Sequence, residues 1–164
     1  MRATITTMHP AYPLFLAVIF LASNAHAAEL TGRVVAVADG DTLTLLVDRQ
    51  QVRVRLADID APERAQPFGT RSRQSLHELC HGKTASIEGH GKDRYGRVIG
   101  TATCHSKNAN AEQVRRGMAW VYDRYARPDS PLYALQEEAR STRRGLWADL
   151  QPVPPWEWRR NSKK

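Results

Sequence analysis

The chain has only two cysteines, three methionines and 7% aromatic residues in 164 positions. Two cysteines allow at most one disulfide, so a core must carry the fold. Its one long apolar run, residues 14–22, has nine members. As a helix that is roughly 14 Å, against a bilayer core of about 30 Å, which excludes a membrane span. There is no Gly-rich phosphate loop, no His-Glu-x-x-His pair and no serine nucleophile elbow. Internal repeats and low-complexity tracts are also missing.

What is present suits one soluble domain. The chain is 41% apolar and 25% charged, too apolar and too mixed in charge to be disordered throughout. It is too short for two large domains. Lys and Arg number 24 against 17 Asp and Glu, giving a net charge of +7 and a pI near 9.8. That excess favours an anionic partner, nucleic acid or a membrane surface. Charge alone does not say whether such a partner is bound or cut.

Residues 1–28 contain one formally charged side chain, Arg2. The apolar run is followed by Ser23 and Asn24, then Ala25-His26-Ala27, a small-x-small cleavage pattern. This predicts a signal peptide over residues 1–27, a folded domain over 28–150 and a tail over 151–164. Export, to the periplasm or beyond, would place Cys80 and Cys104 in an oxidising compartment. A bridge between them would stabilise the fold by roughly 3 kcal/mol in the chain-entropy model; the alternative is two buried thiols that never meet.

Strand patterns come first along the mature chain. Residues 30–38 and 42–47 are β-like. Val52, Val54 and Leu56 alternate with Arg53 and Arg55, giving one apolar and one basic face. Residues 84–88 and 98–104 complete five strands, a number that small barrels use. Helices are expected over 71–80, over 111–116 with Asn110 as N-cap, and over 132–144 after Ser130-Pro131. The tail has three prolines and two tryptophans and reads as extended, with Trp156 and Trp158 packed on the domain.

Three short segments hold the chemistry. Asp39-Gly40-Asp41-Thr42 is by itself an ordinary turn. The stretch from Arg55 to Arg64 gathers Asp58, Asp60 and Glu63 within six residues. Such carboxylates repel one another unless a cation or arginine balances them, and their oxygens suit a hard cation. Asp93-Arg94-Tyr95-Gly96-Arg97 alone is a charged turn. Together they supply carboxylates, arginines and a divalent-cation site, the parts needed to hydrolyse a phosphodiester.

In these segments the sequence resembles the staphylococcal nuclease (thermonuclease) family from about Glu29 to Trp147. Further matches are Phe68-Gly69, the run from Val114 to Trp120, and Gly145-Leu146-Trp147. The resemblance implies an α+β fold, a five-stranded OB-fold Greek-key barrel with three α-helices. It implies a Ca²⁺-dependent nuclease acting on DNA and RNA, single-stranded or denatured by preference, as a monomer. Such enzymes cleave the bond to the 5′ oxygen and leave 3′-phosphates. By position, Asp41 and Asp60 become Ca²⁺ ligands with the Ala61 carbonyl. Arg55 and Arg97 become phosphate-binding arginines, Glu63 the general base, and Asp39 an outer support. Tyr95 and Tyr125 become candidate nucleotide contacts, while Asp123 stands where the best-known member has a second tyrosine.

Two other readings compete. An OB-fold that binds single strands without cutting them is the main alternative; the complete set of Asp41, Arg55, Asp60, Glu63 and Arg97 argues against it. His77, Cys80 and His81 share a helix face, but no fourth transition-metal ligand is evident.

Overall fold

A computed structural model describes residues 29–162. The expected signal segment lies outside the described residues. Eight strands and four α-helices follow in the order β1 (Glu29–Asp39), β2 (Thr42–Val47), β3 (Gln50–Leu56), β4 (Ile59–Asp60), α1 (Gly69–Cys80), β5 (Thr84–Lys92), β6 (Val98–Cys104), β7 (Lys107–Asn108), α2 (Ala109–Arg115), β8 (Trp120–Val121), α3 (Leu132–Ser141) and α4 (Pro155–Asn161). A short 3₁₀ turn, Gly145–Ala148, precedes α4.

The main sheet runs β3-β2-β1-β5-β6-β7, and a β3–β6 pairing closes it. That pairing is parallel, from Val54↔Val98 to Leu56↔Gly100, and the other ladders are antiparallel. Closure removes the exposed edges an open sheet would carry. β1 serves both β2 and β5, and irregularities at Val34/Ala36 and Val37/Asp39 interrupt its ladder to β2. Such bulges bend a strand, as a small barrel requires. The five expected strands are therefore present, and β4, β7 and β8 are two-residue additions.

Inward residues fill the barrel: Val34, Leu43, Leu45, Val54, Leu56 and Ile87 are all at most 1% exposed. The alternation read in β3 holds, with Val54 and Leu56 inside and Arg53 exposed. α1 closes one end through Leu76 and Leu79, and Cys80 at its last turn is bonded to Cys104 at the end of β6. The bridge uses Cys80, so the His77–Cys80–His81 metal reading fails; the two imidazoles stack on each other instead.

The helix boundaries differ from expectation in several places, α1 beginning two residues early at Gly69. α2 begins two residues early, at Ala109, because Asn108 caps it, its side chain accepting the Ala111 N–H at 2.9 Å. Asn110, expected as the cap, is buried; it accepts the Ala102 N–H and donates to the Ala57 carbonyl. α3 stops at Ser141: the Thr142 hydroxyl donates to the Glu138 carbonyl at 2.7 Å, and Arg143 turns left-handed at φ 52°. The tail is not extended throughout: α4 is a fourth helix. Pro155 occupies its first turn, where a missing N–H costs nothing. A helix of seven residues does not persist alone, so its packing, described below, sustains it.

Candidate active site

The turn between β1 and β2 is fixed before any side chain is considered. The register sets Thr42 opposite Arg55, and the Leu56 N–H donates to the Asp41 carbonyl at 2.8 Å. Gly40 sits so close to α1 that a Cβ there would lie 1.7 Å from Ser72 Oγ. Buried Gln113 of α2 donates to the Gly40 and Ser72 carbonyls at 2.7 and 3.1 Å. Asp41 is thereby held 5% exposed. Its carboxylate accepts the Ala61 N–H at 2.7 Å and the Thr42 hydroxyl at 3.1 Å.

Asp60 comes from the segment after β3. Asp58 takes a left-handed conformation, φ 63°, which Asp tolerates better than most residues. The Tyr122 N–H donates to its carbonyl, and β4 pairs with β8 through Ile59↔Val121 and Asp60↔Trp120. Asp60 is 1% exposed. Glu63 stands at the loop exit: its N–H donates to Gln66 Oε1 at 3.1 Å, and its carbonyl accepts the Gln66 N–H at 2.8 Å. A Cβ on Gly69 would meet the Glu63 carbonyl at 1.9 Å, so the start of α1 can approach this loop only as glycine.

Arg55 joins the two aspartates. Its guanidinium is ion-paired with Asp41 and donates to Asp60 Oδ1 at 2.8 Å. Burial disfavours the charge on Arg55, but the adjacent Asp41 and Asp60 outweigh it and strengthen its proton affinity. Burial pushes Asp39 up to about 7, reinforced by the charge of Asp41. Burial likewise raises Asp60, and the charge of Asp41 adds to it, while Arg159 and Arg55 pull the other way.

The sequence reading missed Arg159. From α4 it donates to Asp60 Oδ2 at 2.6 Å and to Glu63 Oε1 at 2.7 Å, with a longer contact to Asp60 Oδ1 at 3.3 Å. A proline start followed by Trp156 and Arg159 three residues apart was the available signal. The three prolines of the tail masked it.

The structure thus brings Asp41, Arg55, Asp60, Ala61 and Glu63 into one cluster. Arg97 stands at its rim, tied to Asp93 by Nε and Nη2 at 2.7 Å, and reaches Thr42 Oγ1 only at 3.5 Å. Tyr95 and Tyr125 are exposed and lie outside the cluster: Tyr95 faces Arg94 and Arg97, and Tyr125 packs edge-on against Tyr122. Asp123 accepts a hydrogen bond from the Tyr133 hydroxyl at 3.0 Å.

The donor set fits a hard cation in kind. Asp41, Asp60 and the Ala61 carbonyl offer only oxygen, and four carboxylates (Asp39, Asp41, Asp60, Glu63) face two guanidinium groups. Among the described residues no three His, Cys, Asp or Glu side chains converge as a ready metal group, so a cation would need the backbone and water as further ligands.

Comparison with known proteins points to a nuclease family. The sequence profile of the family described as Staphylococcal nuclease homologue matches residues 53–149. Protein ParB of Escherichia coli is 46% identical over 157 residues, 90% of this chain and 88% of that protein. Micrococcal nuclease of Shigella flexneri is 43% identical over 157 residues, 90% of each chain. An uncharacterized endonuclease of Escherichia coli is 47% identical over 133 residues, 80% of this chain and 86% of its own length.

Proposed function

The chain belongs to the staphylococcal nuclease family and is a nuclease, and from that premise we propose that it is an exported, Ca²⁺-dependent phosphodiesterase of DNA and RNA. The observation that carries the reading is the chain of charge contacts Asp41–Arg55–Asp60, continued by Arg159 to Glu63. Three separate segments must fold together to build it. A barrel that only bound nucleic acid would have no need of clustered carboxylates, which repel phosphates.

In this reading Asp41, Asp60 and the Ala61 carbonyl hold Ca²⁺. The cation, when bound, neutralises phosphate charge and orients water. Glu63 is the general base: its carboxylate accepts the proton of the attacking water. Arg55 and Arg97 donate to phosphate oxygens as charge gathers on them, a task that suits a planar, always-charged group. The P–O bond to the 5′ oxygen breaks, leaving a 3′-phosphate. Denatured DNA and RNA are the preferred substrates, as in the family it resembles, with the exposed Tyr95 and Tyr125 as candidate nucleotide contacts. Export rests on residues 1–27, and the enzyme acts as a monomer.

The deciding assay is hydrolysis of denatured DNA and RNA by the mature protein in Ca²⁺, with and without chelator. Cutting that stops on chelation supports the reading. Tight binding of DNA with no cleavage in Ca²⁺ would make it a binding module instead.

A further inference from the structure

α4 lies outside residues 53–149, which the family profile matches, yet it is docked on the catalytic cluster. Trp156 stacks on Tyr122 with ring centroids 5.2 Å apart and planes 5° from parallel, and it meets Trp120 edge-on at 5.9 Å. Gln66, whose side chain accepts the Glu63 N–H, donates its amide to the Val153 carbonyl at 2.6 Å. The segment before α4 is therefore tied to the loop that carries Glu63. Arg159 lies three residues beyond Trp156, so one helix face presents both the aromatic anchor and the guanidinium.

That guanidinium takes up the acceptors a cation would need. Asp60 Oδ1 already receives Arg55, and Oδ2 receives Arg159 at 2.6 Å. Glu63 Oε1 is bound by the same Arg159 at 2.7 Å. With Asp60 almost wholly buried, its carboxylate has no solvent to turn to. A divalent ion at Asp60 and Arg159 on Asp60 are thus alternative solutions to one electrostatic problem, the excess of carboxylates over guanidinium groups. Arg159 is the exchangeable member. Its side chain is 39% exposed against 16% for Arg55, and its helix is anchored through aromatic contacts at the other end.

We propose that Arg159 is the built-in competitor of the divalent cation: α4 lends its guanidinium to Asp60 and Glu63 in the cation-free protein, and cation binding displaces it. The consequence is twofold. Arg159 sets the cation concentration at which the site fills. It also keeps the general base neutralised until the cation has arrived, when the guanidinium is released from Glu63. This rests on the Ca²⁺ reading above.

The test is Ca²⁺ binding to the mature full chain by titration calorimetry, with wild type, Arg159→Ala and Arg159→Lys compared. Circular dichroism checks that each is folded. Arg159→Ala should bind Ca²⁺ at least about tenfold more tightly, the scale of one close charge pair. Arg159→Lys, which keeps the charge but loses the fork, should fall between. In wild type, Ca²⁺ should change the tryptophan fluorescence as release of Arg159 alters the surroundings of Trp156 and Trp158 on the same helix, and this change should shrink in Arg159→Ala. Equal or weaker affinity in Arg159→Ala overturns the proposal while leaving the Ca²⁺ reading intact. No Ca²⁺ binding by any of the three proteins overturns both.

Discussion

Arg55 Nη2 lies 2.8 Å from Asp60 Oδ1, five residues further along the chain, while the rest of the fork pairs with Asp41 across the β2–β3 ladder. One planar cation therefore fixes both candidate cation ligands. Arg55→Lys offers a single point charge and cannot span the two carboxylates. It should lower kcat at least about 10²-fold if the fork also stabilises the transition state. Arg55→Ala leaves buried Asp41 without its ion-pair partner and Asp60 with Arg159 alone, and losing one partner of a buried pair costs about 3–5 kcal/mol. Urea denaturation and a cleavage assay measure the two effects separately. Full activity in Arg55→Lys would contradict the bidentate role.

Glu63 has a hydrogen-bonded backbone, and among the described residues its side chain is bound only by Arg159. Glu63→Gln keeps the shape and removes the proton acceptor. Removal of a general base costs about 10²–10⁴-fold, roughly 3–5.5 kcal/mol of barrier. Because the loop is held by Gln66 and Gly69 through main-chain contacts, the melting temperature should barely move. A folded variant that cuts at the wild-type rate would remove Glu63 from the role of base.

Gly40 positions Asp41 through space, not through dihedral freedom. The Cβ of Gly40→Ala would meet Ser72 Oγ at 1.7 Å, and Ser72 Oγ is itself engaged with the Met118 carbonyl at 2.5 Å. Neither neighbour can give way cheaply, and overpacking typically costs about 1–3 kcal/mol. The expected result is a lower midpoint in urea together with loss of cleavage, since the turn carries Asp41. Unchanged stability would mean that the turn can withdraw from α1.

Asp41, Asp60 and Glu63 lie in or beside turns, where no periodicity orients a side chain, and they were assigned by position from the family resemblance. Only the placement of Arg55 on the polar face of β3 followed from period-two patterning. The other long strands were legible as short β-like runs. Arg159 was not readable, because its partners Asp60 and Glu63 are 99 and 96 positions away and nothing local marks the pairing. α4 itself was hidden by prolines that start a helix as readily as they prevent one. Asn110 misled in the opposite way: it has the chemistry of a cap, but the barrel offered it two buried main-chain partners and left capping to Asn108.

That buried asparagine also links stability to the site. It accepts the Ala102 N–H at 3.0 Å and donates to the Ala57 carbonyl at 2.9 Å, tying β6 to the residue that leads into Asp58 and Asp60. Asn110→Ala would orphan one donor and one acceptor inside the protein, at about 1–3 kcal/mol each. The Ala57 N–H remains bound to the Gly100 carbonyl at 2.9 Å, so the segment should loosen and not detach. Thermal denaturation should register the loss directly, and Asn110→Asp should recover only the acceptor half.

Cys80 and Cys104 join the end of α1 to the end of β6, Cα atoms 5.2 Å apart and 24 positions apart in sequence. No free cysteine remains, so the native oxidised protein should show no alkylatable thiol by mass spectrometry, and two after reduction in denaturant. Both residues are at most 1% exposed, so mild reductant should act slowly on the folded protein. A loop of this length contributes roughly 3 kcal/mol through the unfolded chain. Replacing both residues by alanine should therefore lower stability by about that amount, plus a smaller term for lost packing. The bridge lies among Leu76, Leu79 and the barrel core, away from Asp41, Asp60 and Glu63. The double variant should then cut at close to the wild-type rate at temperatures where it is folded. A large fall in kcat there would show that the α1–β6 link also holds the turn bearing Asp41 in place.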